Sequence, residues 1–93
     1  MGRELVRIER VDSWQTANPS VTGHTITGET VEETPRSVQF QTFNDWKASL
    51  CAGAAQKHQL IWIGWRDTAK WGKDIVTAEI DTSKWQHEGQ EAS

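Results

Sequence analysis

The stretch QLIWIGWRDTAKWGKDIVTAEI, residues 59–80, predicts two β-strands joined by a charged connection, and it contains three of the six tryptophans. Residues 60–65 form its first arm, which is apolar on both faces and rich in the β-branched and aromatic residues that suit a pleated surface. Residues 75–80 form its second arm, in which even-numbered and odd-numbered side chains are expected to point to opposite faces. The two arms predict a hairpin at the centre of the fold.

The connection between the arms, residues 66–74, is predicted to be an exposed loop because it is too long for a tight hairpin turn. It carries three cations and a tryptophan: Arg66, Lys70, Lys73 and Trp71. A loop that mixes cations with a large aromatic ring offers both charge and a stacking face. A plainer interpretation is a solvated loop in which Asp67 and Asp74 form local ion pairs with the lysines.

Three further strands are predicted on the N-terminal side of this hairpin. In residues 4–12 apolar and polar side chains alternate, and this pattern then shifts by one position, which indicates a strand with a bulge near Glu9 and Arg10. After an Asn-Pro turn, residues 21–33 are rich in threonine and include two glycines, which favours a bent strand in a small barrel. Residues 36–43 alternate again and predict a third strand.

A helix is predicted between the third strand and the hairpin. Asn44 or Asp45 is a suitable N-cap, and residues 46–57 follow with helical periodicity. The apolar stripe of this helix comprises Trp46, Leu50, Cys51 and Ala54. Trp46 and Trp62 are therefore expected to belong to the core.

The composition is that of one small folded domain. A chain of 93 residues can bury a modest single core, and 25% charged with 35% apolar residues is typical of a globular protein. The mean hydropathy of −0.69 indicates a thin core, so two or three of the six tryptophans should be partly exposed. A net charge of −3 argues against a polybasic binder that relies mainly on phosphate neutralisation, although a local basic groove is compatible with it.

The sequence also predicts the compartment. Cys51 is the only cysteine, which excludes an internal disulfide and fits a reducing environment. No apolar run approaches the ~18 residues of a membrane span, and the N-terminal segment MGRELVRIER has no apolar signal core. We therefore expect a cytoplasmic protein that does not enter a membrane.

The predicted order strand, strand, strand, helix, strand, strand resembles the OB-fold, a five-stranded Greek-key barrel that often binds single strands and oligosaccharides. The resemblance covers roughly residues 5–81 and rests on the element order and on the placement of the helix and the last loop. One departure is that Glu9 and Arg10 stand where the bent first strand often has a glycine. The prediction is a mostly β chain with one helix, a small OB-like barrel at 1–81 and a polar, flexible tail at 82–93; a barrel of the SH3 type with an inserted helix is the alternative.

The resemblance implies a ligand across strands two and three, between the loop after strand one and the loop between strands four and five. Tryptophans there would stack bases, glutamine amides would meet base edges, and cations would track phosphates. The residues nominated for this surface are Trp14, His24, Arg36, Gln39, Gln41, Arg66, Lys70, Trp71 and Lys73.

Four of these residues also have plainer interpretations. Trp71 can fold back and cap the barrel, and Trp14 can plug one of its ends. His24 can be a structural or solvent-facing histidine, and Arg36 can simply begin a strand. Which interpretation applies depends on which faces these side chains share.

The sequence offers little for catalysis. Its three histidines are far apart and lack the spacing of metal ligands. Cys51 lies on the apolar stripe of the helix, where a thiol is packed rather than nucleophilic. No glycine-rich loop precedes a helix to hold phosphates. We expect no enzymatic activity, no metal and no cofactor.

Two functions remain open. The first is a non-enzymatic domain that binds single-stranded DNA or RNA through exposed tryptophans and the basic loop between strands four and five. The second is a protein-interaction module, such as a small adaptor or inhibitor encoded by a phage or mobile element, because exposed tryptophan and arginine also form interface hot spots. In that case Glu29, Glu32 and Glu33 would face a basic partner. The sequence is compatible with a monomer and with a homodimer paired through an edge strand.

Overall fold

The computed structural model describes residues 2–82, and the predicted tail therefore lies almost entirely outside the described residues. The elements are β1 (Gly2–Gln15), β2 (Thr22–Thr30), β3 (Ser37–Thr42), α1 (Asp45–Gln56), β4 (Leu60–Thr68) and β5 (Gly72–Ile80). The strands close into a barrel in the order β1-β2-β3-β5-β4. The predicted fold class, mostly β with one helix in the order β-β-β-α-β-β, is confirmed.

The long first strand takes part in two walls of the barrel. Its N-terminal half pairs antiparallel with β4, and the part from Val6 to Gln15 pairs antiparallel with β2. The register with β2 shifts between Ile8 and Arg10, which confirms the predicted bulge. A bulge bends its strand and increases the local twist, so β1 can leave one neighbour and join the other. A parallel bridge between Gln41 of β3 and Asp74 of β5 closes the barrel.

The core lies inside this barrel and beneath the helix. Its largest fully buried side chains include Phe40, Ile26, Ile61, Ile63 and Val6, and Cys51 and Ala54 of α1 pack against the same cluster. The side chain of Asn44 accepts a hydrogen bond from the Lys47 N–H at 2.9 Å, which confirms the predicted N-cap and begins the helix there.

The predicted core position of Trp46 is wrong, since this residue is 69% exposed. The buried positions of α1 are Ala48, Cys51 and Ala54. Trp46 precedes Cys51 by five residues, which places it about 140° away around the helix. Small residues on the buried face let the helix approach the barrel closely, and the tryptophan faces solvent.

Trp62 is half-buried on the outer face of β4 and does not belong to the core cluster. Its neighbours Ile61 and Ile63 point inward and are fully buried, so strand alternation directs Trp62 outward. The Arg3 guanidinium lies 4.4 Å from the centroid of its ring and covers part of the exposed indole.

The simple alternation predicted for the second arm of the hairpin is also wrong. Gly64 pairs with Thr77 and Trp65 pairs with Ile75, so Val76 has no residue opposite it. This bulge turns Ile75 into the core and leaves Val76 45% exposed.

The expected long loop at 66–74 is a short turn between extended strands. Strand β4 runs to Thr68 and β5 begins at Gly72, so that residues 69–71 make the connection. The Thr68 hydroxyl accepts a hydrogen bond from the Trp71 N–H and donates one to the Gly72 carbonyl, each at 3.0 Å. Gly72, the first residue of β5, has φ 74°, a left-handed backbone conformation that glycine adopts without steric cost. The cations and aromatic ring of this segment therefore lie on a defined hairpin.

Candidate functional site

Three aromatic side chains from separate parts of the chain meet at one end of the barrel. The aromatic triad consists of Trp14 near the end of β1, Phe43 directly after β3 and Trp71 in the β4–β5 turn. Trp14 and Trp71 are stacked, with centroids 5.4 Å apart and planes 28° apart. Phe43 meets both rings nearly edge-on, at 5.8 Å from Trp14 and 5.1 Å from Trp71. Offset-stacked and edge-to-face pairs are the favoured aromatic geometries.

The position of Trp14 is fixed by its neighbours on β2 and β3. Its ring lies over Gly23, where a Cβ atom would come within 2.5 Å of the ring carbons. Its Nε1–H donates a hydrogen bond to the Thr25 hydroxyl at 2.9 Å, and that hydroxyl donates to the Gln41 side-chain oxygen at 3.0 Å. This chain of hydrogen bonds links the triad to the outer faces of β2 and β3.

A pocket of about 310 Å³ opens beside the triad. It is lined by Phe43, Lys70 and Trp71 and by four residues of the β1–β2 loop, Thr16, Ala17, Asn18 and Val21. The volume is near the lower limit of ~300–1,000 Å³ for sites that hold small molecules. The pocket therefore suits one flat ring or one side chain.

The loop wall of this pocket is held by its own hydrogen bonds. The Thr16 hydroxyl donates to the carbonyl oxygens of Asn18 and Val21, at 2.7 and 2.8 Å. The Asn18 side-chain oxygen accepts from the Ser20 N–H at 3.0 Å, and the Val21 N–H donates to the Asn18 carbonyl. The loop wall of the pocket is therefore preorganised by hydrogen bonds within the loop.

Four of the nine residues nominated from the sequence come together here: Trp14, Gln41, Lys70 and Trp71. The Lys70 ammonium lies 5.0 Å from the centroid of the Trp71 ring, within the range of a cation–π interaction. Gln39 is exposed on the same outer face of β3 as Gln41, two residues away.

Two further nominated cations lie on the β4–β5 hairpin and already have partners. Arg66 Nε is 3.5 Å from Asp74 Oδ2. The Lys73 ammonium lies 5.1 Å from the centroid of Trp65, a ring that packs against Phe40 of the core. Both residues are near the turn, and neither lines the pocket.

Arg36 lies at the opposite end of β3 from the triad. That strand has six residues and spans about 20 Å. The Nη2 atom of Arg36 is 2.7 Å from Glu4 Oε1 and 3.2 Å from Glu32 Oε1. The hydrogen bond to Arg36 lowers the pKa of Glu32, and the same bond raises the pKa of Arg36. The charge of Arg36 is therefore balanced by two carboxylates, far from the pocket.

His24 is also separated from the triad, because it faces inward and is 8% exposed. Its Nδ1 is 2.8 Å from the Ser13 hydroxyl and its Nε2 is 2.7 Å from Asp45 Oδ1. Serine, histidine and aspartate are the groups of a hydrolytic triad, but there the aspartate is buried and holds the imidazole in place. The Asp45 side chain is 82% exposed, so the arrangement is better suited to connecting β2 with the start of α1.

Phe43, Thr25 and the four pocket-lining residues of the β1–β2 loop were not nominated from the sequence. Strand alternation carries a usable signal for Phe43, because Gln39, Gln41 and Phe43 fall at i, i+2 and i+4 on one face. The contribution of the β1–β2 loop depends on how the chain closes and has no comparable signal.

Within residues 2–82, no group of three or more His, Cys, Asp or Glu side chains is arranged to hold a metal ion. The described helix is too short and too polar to cross a bilayer. The chain matches no protein family, no curated protein and no solved structure at a significant level. Its function must therefore be inferred from its own geometry.

Proposed function

We propose that this chain is a non-enzymatic domain that binds single-stranded nucleic acid at the aromatic triad and the adjoining pocket. The observation that carries the proposal is the convergence of Trp14, Phe43 and Trp71 beside a preformed pocket. The partner would be single-stranded DNA or RNA, and a cytoplasmic location stays a prediction.

The chemistry of this surface supports the proposal. Aromatic side chains provide stacking surfaces for bases of any sequence, and each stacked base contributes ~1–3 kcal/mol. Gln39 and Gln41 present amides on the adjoining face, where they can donate to and accept from base edges. Lys70 supplies a cation at the rim of the pocket for a neighbouring phosphate.

The position of the site supports the same conclusion. In OB-folds the ligand crosses strands two and three between the β1–β2 and β4–β5 connections. Here the pocket lies between these two connections, and the Thr25–Gln41 hydrogen bond joins the corresponding strands. The barrel order and the helix between β3 and β4 are compatible with an OB-fold.

A titration of oligo-dT and oligo-U, followed by intrinsic tryptophan fluorescence, tests the proposal. We expect saturable quenching for the wild type, because bases would pack against Trp71. Replacing this ring in Trp71→Ala should weaken binding by about 5- to 150-fold, the equivalent of one lost stacking interaction.

Trp46→Ala is the matched control, because it also removes one tryptophan but from the exposed face of α1. None of the ring contacts among the described residues involves Trp46. This variant should bind like the wild type. Absence of quenching by either oligonucleotide at low salt, with a folded protein, would overturn the proposal.

The exposed Trp46 favours a second candidate function, a protein-interaction module. A tryptophan that is 69% exposed on a helix is a typical interface hot spot. If Trp46→Ala abolishes capture of a cellular protein while Trp71→Ala does not, this alternative gains support. Sedimentation of the wild type and Trp46→Ala would show in parallel whether the partner is a second copy of the chain.

A further inference from the structure

We infer that the site takes a single unpaired nucleobase and reads little of the phosphate backbone. This inference rests on the proposed function and specifies its ligand. The favoured ligands are strand ends, bulges and loops in which a base is free to leave the stack, rather than long single-stranded tracts.

The first argument is the space available to a base. Trp14 and Trp71 are stacked on each other, so each ring has one face occupied by the other. Of the aromatic triad, Phe43 and Trp71 line the pocket and Trp14 does not. The aromatic surface open to a base is therefore that of Phe43 and Trp71, and the pocket volume of about 310 Å³ limits it to one base.

The second argument is the charge around the site. Two cations on the nearby strands have carboxylate partners: Arg10 Nε is 2.9 Å from Asp12 Oδ2, and Arg66 is paired with Asp74. Lys73 lies over Trp65 instead of over the pocket. Lys70 is the cation among the pocket-lining residues, so binding should neutralise about one phosphate.

These numbers give a measurable salt dependence. For single strands the slope of log K against log salt is about −0.7 for each neutralised phosphate. A single contact predicts that affinity falls about fivefold between roughly 50 and 500 mM salt, whereas five contacts predict a loss of about 3,000-fold. The two binding modes are therefore readily distinguished.

The experiment compares three labelled octamers by fluorescence anisotropy across this salt range. They are oligo-dT, a fully abasic octamer, and an abasic octamer with one central thymine. We expect the single-thymine octamer to bind like oligo-dT once the number of binding registers is taken into account. The fully abasic octamer, which keeps every phosphate, should show no measurable binding.

Two variants test the role assigned to the cations. Lys70→Gln should bring the salt slope close to zero, and Arg66→Gln should leave it unchanged because Arg66 is paired with Asp74. A wild-type slope steeper than about −2, or equal binding of the fully abasic octamer, would overturn this inference while leaving nucleic-acid binding in place. No binding of any octamer at low salt would instead overturn the proposed function and this inference together.

Discussion

At the scale of single residues, Gly23 determines whether Trp14 can occupy its place. A side chain does not fit at this position without a shift, because a Cβ atom would lie 2.5 Å from Cη2 and Cζ2 and 2.7 Å from Cε2 of the Trp14 ring. The ring is also tied to Thr25 through its Nε1–H. A methyl group at residue 23 must therefore move the ring, the strand or both.

We predict that Gly23→Ala lowers stability by about 1–3 kcal/mol through overpacking and alters the environment of Trp14. Chemical denaturation measures the first effect and near-ultraviolet circular dichroism the second. An unchanged midpoint together with an unchanged near-ultraviolet spectrum would contradict the packing described for Trp14.

Gly53→Ala is the matched control and should change the stability in the opposite direction. Gly53 lies inside α1, and a Cβ atom there would meet no atom within 4 Å. Alanine is favoured over glycine in a helix interior by about 1 kcal/mol, so this variant should be more stable than the wild type. Destabilisation by Gly53→Ala would show that the helix packs more closely than described.

Cys51 is fully buried, and burial raises the pKa of its thiol to about 11. We predict no reaction with a thiol reagent near neutral pH in the native state and full reaction in denaturant. In the unfolded chain the thiol ionises near its ordinary pKa of 9.0. Above that pH the unfolded state loses a proton that the folded state keeps, so stability should fall as the pH rises from about 9 towards 11. Rapid labelling of the folded protein would contradict this burial.

At the scale of elements, the junction between β3 and α1 connects the core to the site. Thr42 is buried, Phe43 joins the triad, and Asn44 caps the helix, all within three successive residues. Asp45 follows and is hydrogen-bonded to His24 on β2. The start of the helix and the position of Phe43 are therefore set by the same short segment.

We predict that Asn44→Ala destabilises the protein by about 0.5–2 kcal/mol, because the Lys47 N–H loses its acceptor. Asn44→Asp keeps an oxygen at that position and should remain within a few tenths of a kcal/mol of the wild type. Urea denaturation of the two variants checks this. Equal stability of Asn44→Ala and Asn44→Asp would show that the cap does not hold the helix.

At the scale of the whole molecule, local patterns of the sequence predict the element order well. The period-two alternation, the slip near Glu9 and Arg10 and the capping residue Asn44 are each encoded within a few neighbouring positions. The barrel is consistent with this order. Each strand has one apolar face and the helix has a face of small residues, and these faces are buried when the sheet closes around a common core.

The errors arise where tertiary packing overrides a local pattern. Trp46 fits the apolar stripe, but the helix approaches the barrel through alanine and cysteine instead. Val76 is displaced by a bulge that depends on the pairing with β4. Residues 66–74 are predicted to form a loop because they are too many for a tight hairpin turn, yet both strands of the hairpin extend into them.

The candidate site was only partly predictable for the same reason. Trp14, Lys70 and Trp71 were nominated for their chemistry, and their proximity depends on the barrel closing at Gln41 and Asp74. Arg36 begins the predicted third strand, but no local signal indicates that the triad forms at the other end of that strand or that His24 points inward. Phe43 was missed although strand alternation places it on the same outward face as Gln39 and Gln41.

The measurement that tests the central claim most directly is a two-dimensional ¹H–¹⁵N spectrum of the indole N–H groups during titration with oligo-dT. Each tryptophan gives its own indole resonance, and single substitutions assign them. We predict shifts for Trp14 and Trp71, whose rings belong to the triad, and none for Trp46 or Trp62. Shifts confined to Trp46 or Trp62, or no shift at saturating oligonucleotide, would contradict binding at the aromatic triad.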